Sequence, residues 1–458
     1  MSAIPDLIKI GSIPGDMSME VDTDILEPVV SSNSFCRFTL MNKGFMNSFS
    51  KIVLGMDALA TNGSRNTYPV NIGISSLIQR AVLKVGAKTI SETEDFNHFM
   101  GYKSLFIDPS INKEREQVIS GRGTALQLRY NNTLGDSSET NAGAYGLDNG
   151  LDYIATGRAG GVAPREGLLP HVWQELAQAP EFQVSLADLF PFLRFNSLPL
   201  YMFDEQISVE LFFNTTDDSR VVGPSPSAET KIATANLKLI ADYIYYDGDT
   251  MEQFQNSNRN MNFQYVDYQL NKRSQTKAQA EAKAIINVGG AGRLVSKLFS
   301  SLSLDIPDLS SIVNVYHSIA PSQIVTLGAT QMGILTSNVR LNDKYLYPLD
   351  RVSNAIHFHD ITSTEAMPPY ISREMYSRGG GGITTEKYNG QNQSNELEGK
   401  FYYQAHRLNR NERINSRGIE YEQNFSHILV DATYTQRTWI EVIRQAQLTN
   451  GILDINYA

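Results

Sequence analysis

One cysteine, Cys36, stands in 458 residues, so no intramolecular disulfide forms, no thiolate metal cluster is possible, and an oxidising compartment is not required. Basic charge is also short. Lys and Arg number 39 against 49 Asp and Glu, a net charge of −10, which argues against a surface that binds by neutralising many phosphates; direct nucleic-acid binding is not expected. No run of about 18 apolar residues occurs and Met1 to Glu20 carry no basic stretch followed by an apolar one, so neither a spanning helix nor a signal peptide is expected. The expected place of folding is the cytosol or nucleus. Tryptophan is scarce, with 2 residues, whereas Tyr and Phe contribute 22 and 20. Aromatics amid abundant Asn, Gly, Ser and Thr suit short strands joined by many turns.

A chain this long exceeds one ordinary core, and two domains of roughly 200 residues each are the expectation. The clearest periodicity is alternation. Ile207, Val209, Leu211 and Phe213 share one face, with Ser208 and Glu210 on the other, the pattern of a half-buried strand. Asn236 to Asp247 alternates Leu237, Leu239, Ala241, Tyr243 and Tyr245 with Lys238, Ile240, Asp242 and Ile244, and reads as a closing strand between packed layers. Helical signals are few: the Ala-, Gln- and Lys-rich stretch Gln275 to Ala284 reads as a short surface helix or solvated linker between two β domains. Met251 to Asn260 is polar and turn-forming, and the domain boundary is placed there. Two long irregular stretches, Asn131 to Pro164 and Arg378 to Glu398, one in each half, read as elaborated loops at the barrel ends.

Leu83-Lys-Val-Gly-Ala-Lys-Thr-Ile90 and Val339-Arg-Leu-Asn-Asp-Lys-Tyr-Leu346 share one pattern: apolar, basic, apolar, two turn residues, Lys, any residue, apolar. Each describes a strand reversing sharply, through Gly86-Ala87 or Asn342-Asp343, and together they suggest a duplicated unit.

Several segments in order resemble those of the double-jelly-roll major capsid proteins of nucleocytoplasmic large DNA viruses, virophages and polinton-like viruses. Leu77 to Ile90 followed by Phe96-Asn-His-Phe-Met100 is similar to the first-barrel signature. Leu186 to Leu193, Leu198 to Leu200 and Gln206 to Phe213 are similar to that family's apolar, Pro-containing turn feeding a strand. Leu239 to Asp247 with Met251 to Phe254 resembles the end of the first barrel, and Val339 to Asp343 through Met375-Tyr376 a turn and later strand of the second. The Gly86-Ala87 pair and the Gly-rich 150s favour the smaller-virus branches.

The resemblance implies an all-β chain of two tandem jelly-roll sandwiches with long inserted loops: an N-terminal arm over residues 1–20, a first barrel over 21–250, a linker over 251–261 and a second barrel over 262–458. It implies a structural role as a homotrimeric pseudo-hexagonal capsomer of an icosahedral shell, not an enzyme. Expected partners are further copies of the chain, neighbouring capsomers, and penton and minor capsid proteins. An internal membrane beneath the shell is left open, with no span through it. The place would be the virion, after assembly in host cytoplasm or nucleus.

Few segments compete as sites for chemistry. His357-Phe-His359-Asp360 would put two imidazoles on one strand face, as metal ligands require. The metal-binding pattern of cupin jelly rolls is not met, since five residues separate His359 from Glu365 and Arg351 stands where a Gly is needed, so a structural strand is the expectation. Gly289-Gly-Ala-Gly-Arg293 has no following Gly-Lys-Ser/Thr and reads as a turn, and Gly121 to Gly123 and Gly157 to Gly161 as turns or loops. Lys272-Arg273 and Arg407 to Arg413 read as solvated faces or subunit contacts. No catalytic, cofactor or metal residue is assigned. The rival functions are a viral carbohydrate- or receptor-binding β-sandwich spike, which needs aromatics exposed along a loop-lined groove, and a jelly-roll metalloenzyme.

Overall fold

The computed structural model describes residues 19–55, 72–107, 119–120, 182–194, 197–214, 232, 234–257, 260–275, 284–305, 334–350, 354–367, 369–370, 386–388, 391–393, 403–408, 413–425 and 433–457. The first half contributes β1 (Met19–Leu26), β2 (Phe35–Leu40), β3 (Lys51–Leu54), β4 (Ile78–Val85), β5 (Lys88–Glu94), β6 (Phe182–Ser185), β7 (Ile207–Phe213) and β8 (Lys238–Tyr246). The second contributes β9 (Asn260–Gln275), β10 (Ala284–Gly289), β11 (Val295–Asp305), β12 (Ile334–Leu341), β13 (Lys344–Tyr345), β14 (Gln404–Arg407), β15 (Ile419–Phe425) and β16 (Thr433–Thr449), with a further strand β17 (Ile452–Tyr457) paired to β16.

One sheet of the first half runs β1-β8-β3-β6, extended by the two-residue strands Phe45–Met46 and Leu198–Pro199, and the other runs β2-β7-β4-β5 with Val30–Ser31 added at its edge. The second half runs β9-β16-β11-β14 and β10-β15-β12-β13. Every strand of β9 to β16 takes the place of the strand eight earlier in the first half. All these pairings are antiparallel, and in each half the first strand lies beside the last, the return connection of a Greek key. The chain therefore folds as two jelly rolls in tandem.

The two hairpins matched in sequence occupy the same place in the two halves, between the fourth and fifth strands. Gly86 (φ +56°) supplies the left-handed residue of the first turn, where an added Cβ would lie 2.8 Å from the Glu205 carboxylate. In the second, Asn342 (φ 48°) and Asp343 (φ 65°) both take positive φ, a conformation Asn and Asp tolerate better than bulkier residues. Arg417 holds the second turn from outside through an ion pair to Asp343. The glycine-rich Gly289 to Arg293 is the turn from β10 into β11, with positive φ at Gly289, Gly290 and Gly292.

Three α-helices bear on the junction between the halves: α1 (Phe96–Lys103), α2 (Gly248–Ser257) and α3 (Asn354–Glu365). α1 follows the fifth strand of the first half and α3 the fifth strand of the second. α2 lies between the halves, where a turn-forming segment was expected. Its Phe254 packs edge-on against Tyr246 and Phe45, so burial of one apolar side chain anchors an otherwise polar helix. Met19 and Glu20, expected in an N-terminal arm, already belong to β1.

The structure departs from the sequence reading at three further points. Ile207, Val209, Leu211 and Phe213 are buried as expected, but Ser208 and Glu210 on the opposite face are buried as well. Glu210 is shielded there by the cross-strand cations Lys84, at 2.6 Å, and Arg37, at 3.9 Å. Gln275 to Ala284 does not separate domains: β9 runs through Gln275 and β10 begins at Ala284, both inside the second half. The His357 segment is helical, in α3. Asn131 to Pro164 and Gly157 to Gly161 lie outside the described residues, as do Gly121 to Gly123 and Met375-Tyr376; of Arg378 to Glu398 the structure describes a hairpin, Glu386–Tyr388 paired with Gln391–Gln393.

One hydrophobic cluster fills the first sandwich and continues into the second half through Met261, Phe263, Tyr265, Tyr268, Phe299 and Trp439. A smaller cluster, built on Leu298, Val339, Leu341, Ile419, Tyr421, Ile440 and Val442, fills one end of the second sandwich. Its other end is polar. There Tyr421 bonds Gln404 across the two sheets, Gln423 Nε2 donates to Gln404 Oε1 at 3.3 Å, and Gln436 Nε2 donates to Ser300 Oγ at 3.1 Å.

Candidate functional site: the seam between the two sandwiches

The most elaborate arrangement of charged and aromatic side chains lies where α1 and the end of β5 rest on the outer face of the sheet β9-β16-β11-β14. Each of those strands, or the residue leading into it, offers one aromatic ring: Tyr268, Trp439, Phe299 and Tyr403. Phe99 of α1 packs against Tyr268 at 4.9 Å, Phe299 at 5.8 Å and Trp439 at 6.2 Å between ring centroids. Tyr102, one turn later on the same helix face, stacks on Phe299 at 4.0 Å and meets Tyr403 edge-on at 5.4 Å. Spacing of three along the helix is what lets both rings reach one sheet.

Charge is threaded through these rings. Lys103 Nζ sits between 5.3 and 5.6 Å from the centroids of Tyr268, Tyr102, Phe299 and Phe99, and 3.5 Å from Glu365 Oε1. Lys297 Nζ bridges Glu365, at 2.9 Å, and Glu441, at 3.2 Å. Tyr102 donates to Glu365 at 2.8 Å, while Tyr268 and Ser296 each donate to Glu441 at 2.5 Å. Two cations thus face two carboxylates, all with side chains about nine-tenths buried, so charge is balanced where water is scarce. Burial pulls Lys103 down to about 8 against the opposing attraction of Glu365. Burial by itself would raise Glu365, but Lys103 and Lys297 outweigh it and hold the carboxyl down at about 2.

Two further ties flank this cluster. Asp95, in the left-handed conformation just before α1, accepts from Arg437 Nε at 2.7 Å and pairs with Lys272 at 3.1 Å. Against burial, Arg437, His98 and Lys272 keep its carboxyl at about 2. Trp439 Nε1 donates to the Glu94 carbonyl at 3.3 Å. On the other side, Asp267 accepts from Ser91 Oγ at 2.8 Å and lies 3.2 Å from Arg444 Nη1, which also donates to the Ile90 carbonyl at 3.0 Å. Tyr265 donates to that same carbonyl at 2.6 Å. Burial pushes Asp267 up to about 6 despite Arg444. The turn Asn450-Gly451 meets the first half of the chain: Asp204 N donates to the Gly451 carbonyl at 3.1 Å.

The candidate metal pair does not assemble. On α3, His357 is buried and His359 exposed, since residues two apart on a helix point to different sides, whereas on a strand they share a face. His406, wholly buried on β14, does come near α3, with Nδ1 4.0 Å from Asp360 Oδ2 and 3.2 Å from the Tyr347 hydroxyl. Among the described residues no group of three or more His, Cys, Asp or Glu is placed to hold a metal ion, and no helix is long and apolar enough to cross a membrane. Lys272 serves the seam through Asp95, and Arg407 ends β14 exposed. Cys36 is buried in β2, its thiol pushed up to about 12 by burial.

Sequence reasoning missed the seam altogether. Its partners are 342 residues apart in the case of Asp95 and Arg437, and no local pattern signals such a pairing. The one available hint was the Phe96 to Met100 segment, where large aromatics sit among polar residues without strand alternation.

No protein-family model matches the chain and no curated protein matches it in sequence. Solved structures match in fold. The PBCV-1 virus capsid, in its quasi-atomic model, matches at 10% identity over 98% of this chain and 99% of that one, with a TM-score of 0.56. The Sputnik virophage structure matches at 9% identity over 96% of this chain and 88% of that one, with a TM-score of 0.57. The Faustovirus major capsid protein matches at 9% identity over 96% and 92%, with a TM-score of 0.53. The chain has the double-jelly-roll fold of these proteins.

Proposed function

We propose that the chain is a viral major capsid protein, a structural rather than catalytic molecule, acting as a homotrimeric pseudo-hexagonal capsomer that tiles an icosahedral shell. The observation that carries this reading is the same eight-strand order occurring twice in one chain, with the two copies joined side by side through a buried seam. A rigid pair of sandwiches suits a tile, because load passes between copies through packed side chains rather than through a hinge. The fold-mates are a viral capsid, a virophage and a major capsid protein, over nearly the whole of this chain. The chain divides, in this reading, into an arm over 1–20 whose last two residues open β1, barrels over 21–250 and 262–458, and a linker over 251–261 that α2 enters from Gly248 and β9 leaves from Asn260. Penton and minor capsid proteins would be its partners besides itself, and the virion its place, after assembly in host cytoplasm or nucleus. An inner membrane, where the shell encloses one, would be a neighbour and not a medium the chain crosses.

A carbohydrate-binding spike would need aromatics lining an exposed groove. Among the described residues the most buried large rings serve the seam, as Trp439, Tyr102 and Tyr403 do, or the interior of the second sandwich, as Tyr421 does. The test is negative-stain microscopy of the purified protein with its mass in solution. Pseudo-hexagonal particles of three chains are expected; a uniform population of monomers overturns the reading.

A further inference from the structure

β16 is longer than the sandwich it closes. Its residues 433–442 pair with β11, and in the same row 444–449 pair with β17, while β9 follows β16 along its other side. The hand-over falls at Ile443, whose N donates to the Leu294 carbonyl at 3.0 Å. Past that point the sheet is a three-stranded overhang of residues 260–266, 443–449 and 452–457. It rests on the first sandwich: Met261, Phe263, Ala446, Leu448 and Leu453 join that sandwich's hydrophobic cluster, and Tyr265 packs on Phe192 at 5.2 Å. Trp439, under α1, and Leu448, in the overhang, stand on one strand about 30 Å apart at ~3.3 Å per residue, so the sandwiches are attached at two well-separated places.

β17 completes the second attachment. It is reached through Asn450-Gly451, both at positive φ (51° and 81°), and an added Cβ at Gly451 would collide with the Asp204 carboxylate. Lys88 of β5 donates to the Leu453 carbonyl, and Leu453 itself is fully buried. Tyr457 is gripped by three residues: the Arg293 guanidinium lies 4.0 Å from its ring centroid, and Arg444 Nη2 and Gln269 Nε2 donate to its hydroxyl at 3.1 and 3.0 Å. Because Arg444 also reaches Asp267 and the Ile90 carbonyl, β17 steadies that ion pair as well. The other face of β17 is wet, with Ile452 57% exposed and Asp454 and Asn456 exposed beside it. A strand of six residues, paired to β16 alone and wet on one face, opens locally at a much lower free energy than the sandwich unfolds. Without it the overhang is a two-stranded ribbon, which twists more freely than a wider sheet.

We infer that β17 is a releasable clasp: shut, it stiffens the overhang and fixes the angle between the two sandwiches; open, it leaves them joined firmly at α1 and able to rock about it. The device follows from the fold, and under the capsomer reading the shut clasp supplies the rigidity of the tile.

The test labels the full chain with nitroxides at Phe49→Cys in the first sandwich and Ile285→Cys in the second, at residues 71% and 56% exposed; the native Cys36 is fully buried and stays unlabelled. Dilution with unlabelled protein confines the distances read by pulsed electron paramagnetic resonance to one chain, so the number of chains in a particle does not enter. A narrow distance distribution is expected in this background. A broad one is expected when the clasp is released, by Leu453→Ser or, with the core left intact, by Lys88→Met together with Tyr457→Phe. Hydrogen exchange read by mass spectrometry is expected to be faster in residues 452–457 than in 433–442 by about tenfold or more in the parent, and to rise further in the released variants with β7 and β15 unchanged. A narrow distribution that persists once 452–457 exchange freely overturns the inference, since the clasp then opens without moving the sandwiches. Exchange in 452–457 as slow as in 433–442 in the parent overturns it too, since the strand is then part of the core, as does a failure of both variants to speed exchange there. Should Leu453→Ser raise exchange in β7 and β15 as well, the second variant decides by the same readings.

Discussion

Lys103, the last residue of α1, lies 3.5 Å from Glu365, the last residue of α3, so the two helices that follow the fifth strand in each sandwich meet by their C-terminal ends. The pair is not a surface embellishment. Removing one partner leaves the other charge buried, a much larger penalty than the modest net worth of an intact pair.

Glu365→Gln is therefore expected to destabilise the chain by about 3 kcal/mol, since both Lys103 and Lys297 then depend on Glu441 alone. Urea unfolding followed by Trp fluorescence measures it. A midpoint equal to that of the parent would mean that the cluster is solvated.

Phe99→Ala is expected to cost about 3–5 kcal/mol, because the ring is 1% exposed and its loss opens a cavity among Tyr268, Phe299 and Trp439. The same substitution at the exposed Phe49 should move stability by less than about 0.5 kcal/mol. Thermal melts of the two variants side by side decide it.

The seam acids give stability a two-part dependence on pH. Asp95 and Glu365 ionise lower in the folded chain than their ordinary 3.8 and 4.5, so their contribution is fully present above those values and is lost as pH falls toward about 2. Asp267 is the reverse: its folded value of about 6 lies above the ordinary 3.8, so the folded chain holds that proton more tightly and this residue's contribution declines as pH rises from about 4 to 6. Asp95→Asn should flatten the acid limb, and Asp267→Asn the limb between pH 4 and 6. Unfolding midpoints across pH 2 to 7, read for each variant, test both signs.

The paired hairpins differ in what they tolerate. Asn342→Val forces a β-branched residue into positive φ and is expected to cost about 1–2 kcal/mol, whereas Asn342→Gly is expected to cost much less, although both lose the bond from Asn415 N to Asn342 Oδ1, 2.8 Å long. Denaturant midpoints for the two variants separate backbone strain from the lost bond.

What could be read from the residues alone was the local part. Turn chemistry at Gly86 and at Asn342-Asp343 is written in two residues, and alternation in Ile207 to Phe213 is written in seven, so hairpins, strands and the duplicated unit were legible. His357 and His359 were misplaced because their spacing fits a strand face as well as a helix, and only the packing of α3 against β14 decides between them. Glu210 was expected at the surface because alternation reports polarity and not burial; two long cations on neighbouring strands cover it. The polar end of the second sandwich and the seam depend on residues brought together from distant strands, and such pairings leave no periodic trace.

The Greek-key return gives β16 an unusual burden. It pairs with β9 on one side and β11 on the other, and it also supplies Arg437, Trp439, Glu441 and Arg444 to the seam. On the ribosome, the first sandwich can close once β8 has emerged, but the second must wait for residues past 433, holding Tyr268 and Phe299 uncovered meanwhile. Synthesis thus passes through a half-finished molecule with these rings on display, until β16 joins the two halves into one body.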